Sequence, residues 1–384
     1  MRILHILPSL DPRGGGPMEA LSNYGQCVRA LGHSVEVLSL DDPASAFLPL
    51  YPLTATAIGP SVGGYAYNPR LVPWLTTRAR DYDVIFIHGL WQYHAFGAWR
   101  VLHDLKLPYF VLPHGMLDPW FKTTYPLKHL KKVLYWHWAD YRVLRDARAV
   151  LFTSEEERRL ARLSFSRYTA REVVINYGTK SPPQDAQALR ERFLQSRPYL
   201  QGKRILLFLS RIHEKKGGDL LIKAYARVAA QDRRLHLMVA GPDKTALVPR
   251  LRQMAQELGV AASISFPGML QADDKWGAFH ASDAFVLPSH QENFGVAVAE
   301  ALGCRLPVLI SDKVNIWREV QQDGCGFVAP DTVEGTEHNL RSWLVLPVEQ
   351  AEGMRQRARS TFEARYTAEA TARSLLAAVE GARA

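Results

Sequence analysis

The sequence predicts an α/β protein made of two doubly wound domains, each a parallel sheet with helices on both faces. The first observation is length, because 384 residues exceed one ordinary core and suit two domains of about 150 to 200 residues each. The second is an alternation of short apolar runs with helical stretches such as 17–31, which is typical of parallel strands joined by helical crossovers. The third is that the alternation restarts after the breaker-rich segment GTKSPPQD at 178–185, which predicts the domain boundary.

The predicted strands are short apolar runs bounded by glycine, proline or polar residues. In the first domain they are residues 2–7, 34–40, 84–88, 109–112, 149–153 and 172–176. In the second domain they are residues 204–209, 235–240, 263–266, 284–287 and 307–310. We therefore expect domains at 1–177 and 201–360, separated by a linker region at 178–200.

The composition, with 47% hydrophobic and 22% charged residues, is typical of a soluble globular protein. The N-terminal MRILHILPSL is a short strand-like run without the long apolar core of a signal peptide. No window approaches the roughly 20 apolar residues of a membrane span, so we expect a cytoplasmic protein. The three scattered cysteines, Cys27, Cys304 and Cys325, predict neither a disulfide framework nor a zinc site.

The net charge of +9 is compatible with nucleic acid, a membrane surface or an anionic substrate. Residues 122–148 hold seven basic residues against two acids, interleaved with leucine, tyrosine and tryptophan at largely helical spacing. A basic helix with aromatic residues suits the surface of an anionic membrane. The alternative is an ordinary amphipathic helix that packs its aromatic side chains inward.

The segment HQENFGVAVAE, residues 290–300, follows a predicted strand and turns into a predicted helix. It therefore lies at the carboxyl end of a strand, where open α/β sheets bind ligands. Glu292 and Glu300 are roughly 80° apart around a helix, so they would have separate tasks. The first amides of the helix suit a phosphate, and carboxylates accept hydrogen bonds from sugar hydroxyls. The alternative is two surface glutamates near a helix start, where negative charge is favourable.

Three segments of the first domain begin where a predicted strand ends. Gly14, Gly15 and Gly16 follow the first strand and would let a ligand approach the backbone, although they do not form the G-x-G-x-x-G of dinucleotide binding. A plain tight turn is the alternative. The other two segments are HGLWQYH at 88–94 and PHGMLDPW at 113–120, whose histidines are either structural or functional.

The second domain supplies a candidate phosphate site. Its first strand runs into SRIHEKKGG, residues 210–218, and a helix follows near Asp219. When a sugar leaves a nucleotide diphosphate, fixed cations stabilise the charge on the departing phosphate, and Arg211 and Lys216 are placed for this without a metal. Lys215 is a nearby alternative. Two further strand-end segments are AGPD at 240–243 and FPGML at 266–270.

These motifs together resemble those of family 4 glycosyltransferases, which are retaining enzymes with two facing Rossmann-like domains (the GT-B fold). Residues 292–300 resemble the family's E-x7-E motif, Arg211 and Lys216 its R-x4-K pair, and 113–120 a segment found in a subset of members. The resemblance implies a C-terminal helix at 361–384 that returns to the first domain. One departure is INYGT at 175–179, where a P-N-G-V-D type of sequence is usual.

The resemblance also implies roles for individual residues. Those placed at the reacting centre are His114 beside the donor sugar, Arg211 and Lys216 at the diphosphate, and Glu292 at the sugar hydroxyls. Those implied to bind the donor elsewhere are Gly15, Gly16, Gly241, Met269, Leu270, Asn293, Phe294, Gly295, Val296 and Glu300, the last at the ribose. The acceptor candidates are Trp91, Tyr93 and His94.

The function implied is retaining, metal-independent transfer from a GDP- or UDP-sugar to a glycan acceptor, lipid-linked or not, in bacterial-type surface polysaccharide or glycolipid assembly. No D-x-D stands in a suitable loop, which disfavours a metal-dependent transferase, and no cofactor or nucleic acid is expected. Residues 122–148 would then contact the inner face of the cytoplasmic membrane. The alternatives are a nucleotide-sugar epimerase or hydrolase of the same architecture and a non-catalytic binder of nucleotide-sugar or nucleic acid.

Overall fold

The computed structural model describes residues 1–383, apart from the side chains of Thr123 and Arg383. The chain forms two compact units. One unit comprises Met1–Thr179 together with the chain from Ala368 onward, and the other comprises Lys180–Thr367.

The first unit is a parallel sheet of seven strands in the order β3-β2-β1-β4-β5-β6-β7. The strands are β1 Arg2–Leu7, β2 Ser34–Ser39, β3 Thr54–Ala57, β4 Val84–His88, β5 Tyr109–Leu112, β6 Ala149–Phe152 and β7 Glu172–Val174. The helices are α1 Gly16–Ala30, α2 Leu71–Arg78, α3 Tyr93–Asp104, α4 Trp120–Thr124, α5 Pro126–Trp138, α6 Asp140–Arg145 and α7 Glu155–Ala161. The last helix of the chain, Ala368–Arg383, packs on α1 in this unit.

The second unit is a parallel sheet of six strands in the order β10-β9-β8-β11-β12-β13. The strands are β8 Arg204–Leu209, β9 Leu235–Ala240, β10 Ile264–Gly268, β11 Ala284–Leu287, β12 Val308–Ser311 and β13 Gly326–Ala329. The helices are α8 Ala186–Gln195, α9 Gly218–Val228, α10 Val248–Glu257, α11 Ala272–Ala281, α12 Val296–Gly303, α13 Trp317–Asp323, α14 Val333–Leu344 and α15 Val348–Thr361. A π-helical turn, Phe362–Tyr366, follows α15, and the last helix of the chain is therefore α16.

The predicted fold class is confirmed, since both sheets are parallel and doubly wound and the C-terminal helix joins the first unit. Each predicted strand is present, with ends that differ by two residues or fewer. The sequence did not predict β3 and β13, which are edge strands. The TATA of β3 is weakly apolar and β13 begins with glycine, so neither has the continuous apolar run of a strand buried on both faces.

The region between the predicted domains is folded rather than extended. Within residues 178–200, α8 packs on α11 and buries Leu189 and Phe193 in the second unit. At the other end of that unit, α15 and the π-helical turn still belong to it, so the return to the first unit begins at Ala368 rather than at 361.

Residues 122–148 form parts of three helices instead of one. Pro126 begins α5, and the backbone of Ala139, at φ −122° and ψ −78°, ends it before α6 begins. Trp136 is fully buried, as the inward-packing alternative predicts, whereas Leu127, Leu130 and Leu134 are exposed.

No helix in the described part of the chain, residues 1–383, is long and apolar enough to cross a membrane.

Candidate functional site

Each sheet has one point at which the strand order reverses, beside the first strand of its unit. In the first sheet this switch point lies between β1 and β4, and in the second it lies between β8 and β11. Loops from neighbouring parallel strands diverge there and leave a crevice at the carboxyl edge. The predicted site residues follow these strands or their neighbours.

In the second unit, the loop after β8 runs directly over the end of β11. Gly217 has a φ of +67°, and a Cβ atom at this position would lie 2.1 Å from the carbonyl oxygen of Pro288, so only glycine fits. The carbonyl oxygen of Lys215 accepts hydrogen bonds from the Ser289 hydroxyl at 2.9 Å and from the His290 amide at 2.7 Å. These contacts fix Lys216 above the end of β11.

Lys216 and Glu292 form an ion pair at this switch point. The ammonium group of Lys216 is almost fully buried and contacts Oε2 of Glu292. The backbone of Glu292 is held as well, because its amide donates to the carbonyl of Lys313 at 3.0 Å and its carbonyl accepts from Asn315 at 3.0 Å. The structure therefore joins directly the cation predicted for phosphate and the carboxylate predicted for sugar hydroxyls.

Arg211 lies in the same loop as Lys216 but is exposed. Its guanidinium makes no ion pair or hydrogen bond with any other residue that the structure describes. The Arg211 side chain is thus available to contact an anion, whereas the Lys216 side chain is already paired with Glu292.

The loop after β11 ends at Gly295, which has a φ of +81° and precedes the first residue of α12, Val296. No side chain in the described range 1–383 caps this helix. The Val298 amide donates to the carbonyl of Gly295 at 2.8 Å, so the amides of Val296 and Ala297 are the helix-start donors that face the carboxyl edge. Asn293 lies at the turn, and the Phe294 ring is buried edge-on against Tyr366, 5.5 Å between ring centroids. Phe294 therefore anchors the loop and leaves ligand contact to the backbone.

Glu300 lies in the second turn of α12 and is buried, with 5% of its surface exposed. Its Oε1 accepts a hydrogen bond from the ammonium group of Lys275 on α11 at 2.7 Å. The carboxylate is thus held in one position. Glu292 and Glu300 have different partners, as their angular separation predicted.

The loop after β9 is as closely packed as the loop after β8. A Cβ atom on Gly241, whose φ is +141°, would lie 1.7 Å from the carbonyl oxygen of Ser210, and the Gly241 amide donates to Gly268 at 2.8 Å. Beyond it, the side chain of Met269 is 59% exposed and that of Leu270 is buried. The Met269 side chain is therefore open to solvent, whereas Leu270 packs within the unit.

In the first unit, the glycine loop after β1 is open. Position 15 requires glycine because its backbone φ is +84°. Gly16 begins α1 with ordinary helical geometry, and a Cβ atom there would meet no described atom within 4 Å. The fold therefore does not explain glycine at position 16.

Four histidines lie near the carboxyl edge of this sheet. His5, His88 and His94 are buried, while His114 keeps part of its surface exposed. Burial lowers the pKa of His94 and of His114 to about 4 each. Tyr177, at the position where the sequence departs from the family pattern, lies edge-on to the His114 ring at 6.0 Å between centroids.

The acceptor candidates are largely packed inside the first unit. His94 is fully buried, and its Nε2 donates to the carbonyl of His88 at 2.7 Å. Tyr93 is also buried, with its ring 4.7 Å from that of Tyr67. Burial favours the structural alternative for His94 and leaves little of Tyr93 exposed. The half-buried Trp91 donates its backbone amide to Asp140 at 2.8 Å.

Two family models match the sequence, one within each unit. The model described as "Glycosyl transferase 4-like domain" matches residues 15–178, and that described as "Glycosyl transferases group 1" matches residues 190–361. The chain is a family 4 glycosyltransferase of the GT-B fold. The predicted family membership is confirmed.

Relatives of this glycosyltransferase with assigned names match over part of their length. Mannosylfructose-phosphate synthase of Agrobacterium fabrum is 31% identical over 147 residues, 36% of this chain and 31% of that protein. D-inositol 3-phosphate glycosyltransferase of Geodermatophilus obscurus is 37% identical over 140 residues, 35% of this chain and 30% of that protein. The chain thus spans about a third of the length of the curated relatives that it matches.

Solved structures match the glycosyltransferase over its whole length. Anabaena HepE in complex with UDP and glucose has a TM-score of 0.74 at 18% identity, covering 99% of this chain and 100% of that one. Sucrose-phosphate synthase from Thermosynechococcus elongatus has a TM-score of 0.75 at 19% identity, covering 99% and 98%. At these identities the likeness shows the fold.

Three polar residues near the predicted site of this glycosyltransferase were not predicted from its sequence. Lys275 holds Glu300, and His5 bonds His88. Glu157 accepts the amide of Gly115, next to His114, at 2.5 Å. The available signals were a histidine inside the apolar run RILHIL and the S-x-x-E capping pattern at 154–157; Lys275 has none.

Proposed function

We propose that this protein is a retaining, metal-independent glycosyltransferase that moves a sugar from a nucleotide-diphosphate sugar to a glycan acceptor. The observation that carries the proposal is the Lys216–Glu292 ion pair at the switch point of the second sheet. A cation for phosphate oxygens and a carboxylate for sugar hydroxyls are adjacent there. The first amides of α9 and α12, which follow the two strands at that point, add donors for an anion.

The reaction proposed is a displacement on one face of the sugar. The acceptor hydroxyl forms a bond to the anomeric carbon on the face from which the diphosphate departs, and a departing phosphate oxygen takes the hydroxyl proton. Arg211 and Lys216 stabilise the negative charge that develops on the diphosphate. Glu292 holds the sugar by its hydroxyls, so it is neither the general base nor a covalent nucleophile.

The donor proposed is a UDP-sugar, with a GDP-sugar as the alternative. HepE, which has the same fold, was crystallised with UDP and glucose, and the exposed Met269 offers an apolar surface to a base. A thermal-shift screen across nucleotide-sugars tests this, because a ligand at 100 times its dissociation constant adds about 2.7 kcal/mol to the free energy of unfolding.

The acceptor proposed is a lipid-linked glycan at the cytoplasmic face of a membrane, as in surface polysaccharide or glycolipid assembly. The support is an apolar stripe on α5, formed by Leu127, Leu130, Leu134 and Trp138, which are 79%, 58%, 70% and 57% exposed. Their spacing of three and four residues places them on one side of the helix, opposite the buried Trp136. The exposed Lys128 and Lys131 lie beside the stripe, so its charge complements the anionic lipids of the cytoplasmic leaflet.

The site assignment is tested with Glu292→Gln and Arg211→Ala. We expect each to reduce sugar transfer on the order of 100-fold, about 3 kcal/mol in the transition state. The unfolding temperature should be unchanged in Arg211→Ala and lower in Glu292→Gln, because the latter removes the carboxylate that pairs with the buried Lys216 ammonium. Matched controls are Glu257→Gln and Arg250→Ala, which replace exposed residues of α10 in the same unit. Undiminished transfer by both site variants would overturn the assignment.

The same assay separates the alternative functions. Free sugar or an epimerised donor formed without acceptor would identify a hydrolase or an epimerase. Nucleotide-sugar binding without turnover, or DNA binding that weakens steeply with salt, would identify a non-catalytic binder.

A further inference from the structure

Three histidine side chains form a continuous hydrogen-bonded chain across the first sheet. Nδ1 of His5, on β1, lies 2.8 Å from Nε2 of His88, on β4. Nδ1 of His88 lies 2.9 Å from Nε2 of His114, which follows β5. His5 and His88 are buried and only His114 is partly exposed. The chain thus leads from the core to the carboxyl edge.

All three rings are neutral at physiological pH. Burial lowers the pKa of His5 to about 3 and that of His114 to about 4, and burial together with the neighbouring histidines lowers the pKa of His88 well below its ordinary value. A neutral imidazole has one N–H and one lone pair. Each hydrogen bond in the chain therefore needs a donor on one side and an acceptor on the other, and the three tautomers are coupled.

Two arrangements satisfy both hydrogen bonds. In the first, Nδ1 of each ring carries the proton, so His5 donates to His88, His88 donates to His114, and Nδ1–H of His114 remains as a free donor. In the second, Nε2 of each ring carries the proton, the donors are reversed, and Nδ1 of His114 is an acceptor.

The buried end of the chain favours the first arrangement. Nε2 of His5 is buried and has no hydrogen-bond partner among the residues that the structure describes. In the first arrangement this atom is an unpaired lone pair, and in the second it is an unpaired N–H. Unpaired acceptors are tolerated in protein interiors more often than unpaired N–H groups. His94 shows the same preference nearby, because its Nε2–H donates to a carbonyl and its buried Nδ1 is left as the unpaired acceptor.

We propose that His5 and His88 are positioning residues that hold His114 in the Nδ1–H tautomer, so that it donates a hydrogen bond to an oxygen of the bound sugar donor. The ligand contact rests on the proposed function, whereas the tautomer is a property of the unliganded protein. Nδ1 of His114 makes no hydrogen bond within residues 1–383 and is the atom left for a ligand. A hydroxyl, ring or phosphate oxygen accepts such a bond.

The tautomer is measured directly by long-range ¹H–¹⁵N correlation NMR on the full chain with ¹⁵N-labelled histidine, using His114→Gln to assign the His114 signals. We expect Nδ1 of His114 to be protonated and Nε2 to be unprotonated. A wild-type His114 with its proton on Nε2 overturns the proposal.

The variants test whether the chain sets the tautomer. We expect His88→Phe to shift His114 toward the Nε2–H form and to lower kcat about 10-fold, and His5→Leu, which keeps both other histidines, to give a mixture of the two forms. The matched control is His236→Gln, which removes a buried histidine of the second unit and should leave His114 unchanged. If His114 keeps the Nδ1–H form in His5→Leu and in a folded His88→Phe, the chain does not set the tautomer. If the tautomers behave as expected but no sugar transfer is found, the proposed function is wrong, and the role of the three histidines in setting the tautomer is still supported.

Discussion

The ammonium group of Lys275 lies 2.7 Å from Oε1 of Glu300, although the two residues belong to different helices, α11 and α12. Glu300 is buried, and removing the partner of a buried carboxylate strongly destabilises the folded protein. The ion pair therefore fixes the side chain that the family resemblance places at the ribose.

We expect Lys275→Met to weaken nucleotide binding by about 10-fold, or 1.4 kcal/mol, because Glu300 loses its contact with the Lys275 ammonium group. The free energy of unfolding should fall by about 2 kcal/mol. Calorimetric titration with UDP and urea unfolding measure the two effects. Lys223→Met is the control, since Lys223 pairs with Asp219 on an exposed helix surface and such pairs contribute little. Equal UDP affinity in wild type and Lys275→Met would contradict the ribose role of Glu300.

Glu157 links the strand end at Thr153 to the loop at His114. Its Oε1 accepts the Gly115 amide at 2.5 Å, and its Oε2 accepts both the amide and the hydroxyl of Thr153 at 2.7 Å. In Glu157→Gln one oxygen becomes an NH₂ group, which faces a donor. We expect a loss of about 1 to 3 kcal/mol in the free energy of unfolding and a lower kcat, measured by urea unfolding and by transfer assays. The control, Glu155→Gln, changes an exposed residue of the same helix and should alter neither quantity; a wild-type kcat in Glu157→Gln would show that this contact does not position His114.

The fold could be predicted from the sequence, and so could the placement of the candidate site residues after neighbouring strands, whereas several side-chain partners could not. Central parallel strands such as β4 and β11 are buried on both faces and appear as continuous apolar runs, and the segments that follow them carry the motifs. Partners come from distant parts of the chain. His5 is 83 residues from His88, and Lys275 is 25 residues from Glu300. Tertiary packing of strands and helices brings these residues together, and no local sequence pattern indicates such contacts.

Substitutions at Gly16 and Gly241 distinguish a glycine that the fold requires from a glycine that only a ligand would require. Gly241→Ala should not fold, because its Cβ atom would lie 1.7 Å from the carbonyl oxygen of Ser210 and its φ of +141° excludes an L-residue. Gly16→Ala should fold with unchanged or slightly higher stability, since the site is open and alanine favours the helix. We expect Gly16→Ala to lower transfer about 10-fold if the donor or acceptor approaches this backbone. Circular dichroism and transfer assays check both variants, and full activity in Gly16→Ala would remove Gly16 from the site.

Asp140 makes the stability of the first unit pH-dependent. Burial raises the pKa of its carboxyl group from 3.8 to about 7, against the opposing effects of the Trp91 amide and Lys132. The folded state therefore binds the proton more tightly than the unfolded state, and stability should fall as pH rises from about 4 to about 7. Asp140→Asn keeps an oxygen for the Trp91 amide and removes the titration. We expect it to match the wild type near pH 4 and to exceed it at pH 8 by up to about 4 kcal/mol in the free energy of unfolding.

Urea unfolding at several pH values measures this difference. Asp104→Asn, at an exposed position, serves as the control and should follow the wild-type pH profile. A parallel profile for Asp140→Asn would show that Asp140 is ionised in the folded protein at neutral pH.

The apolar stripe on α5 gives the last prediction. Leu130 and Leu134 are 58% and 70% exposed, and burying each leucine in a bilayer contributes about 1.5 to 3 kcal/mol. We expect the wild-type protein to float with liposomes that contain anionic lipid, and Leu130→Ser/Leu134→Ser to bind at least about 10-fold more weakly. Val345→Ser/Val348→Ser is the matched control. These residues are 76% and 85% exposed, but they belong to the second unit and not to α5. High salt should weaken binding by screening the lysines without abolishing the leucine contribution. Equal flotation of the leucine variant and the wild type would mean that the stripe does not contact the membrane, and the acceptor would then have to reach the protein by another surface.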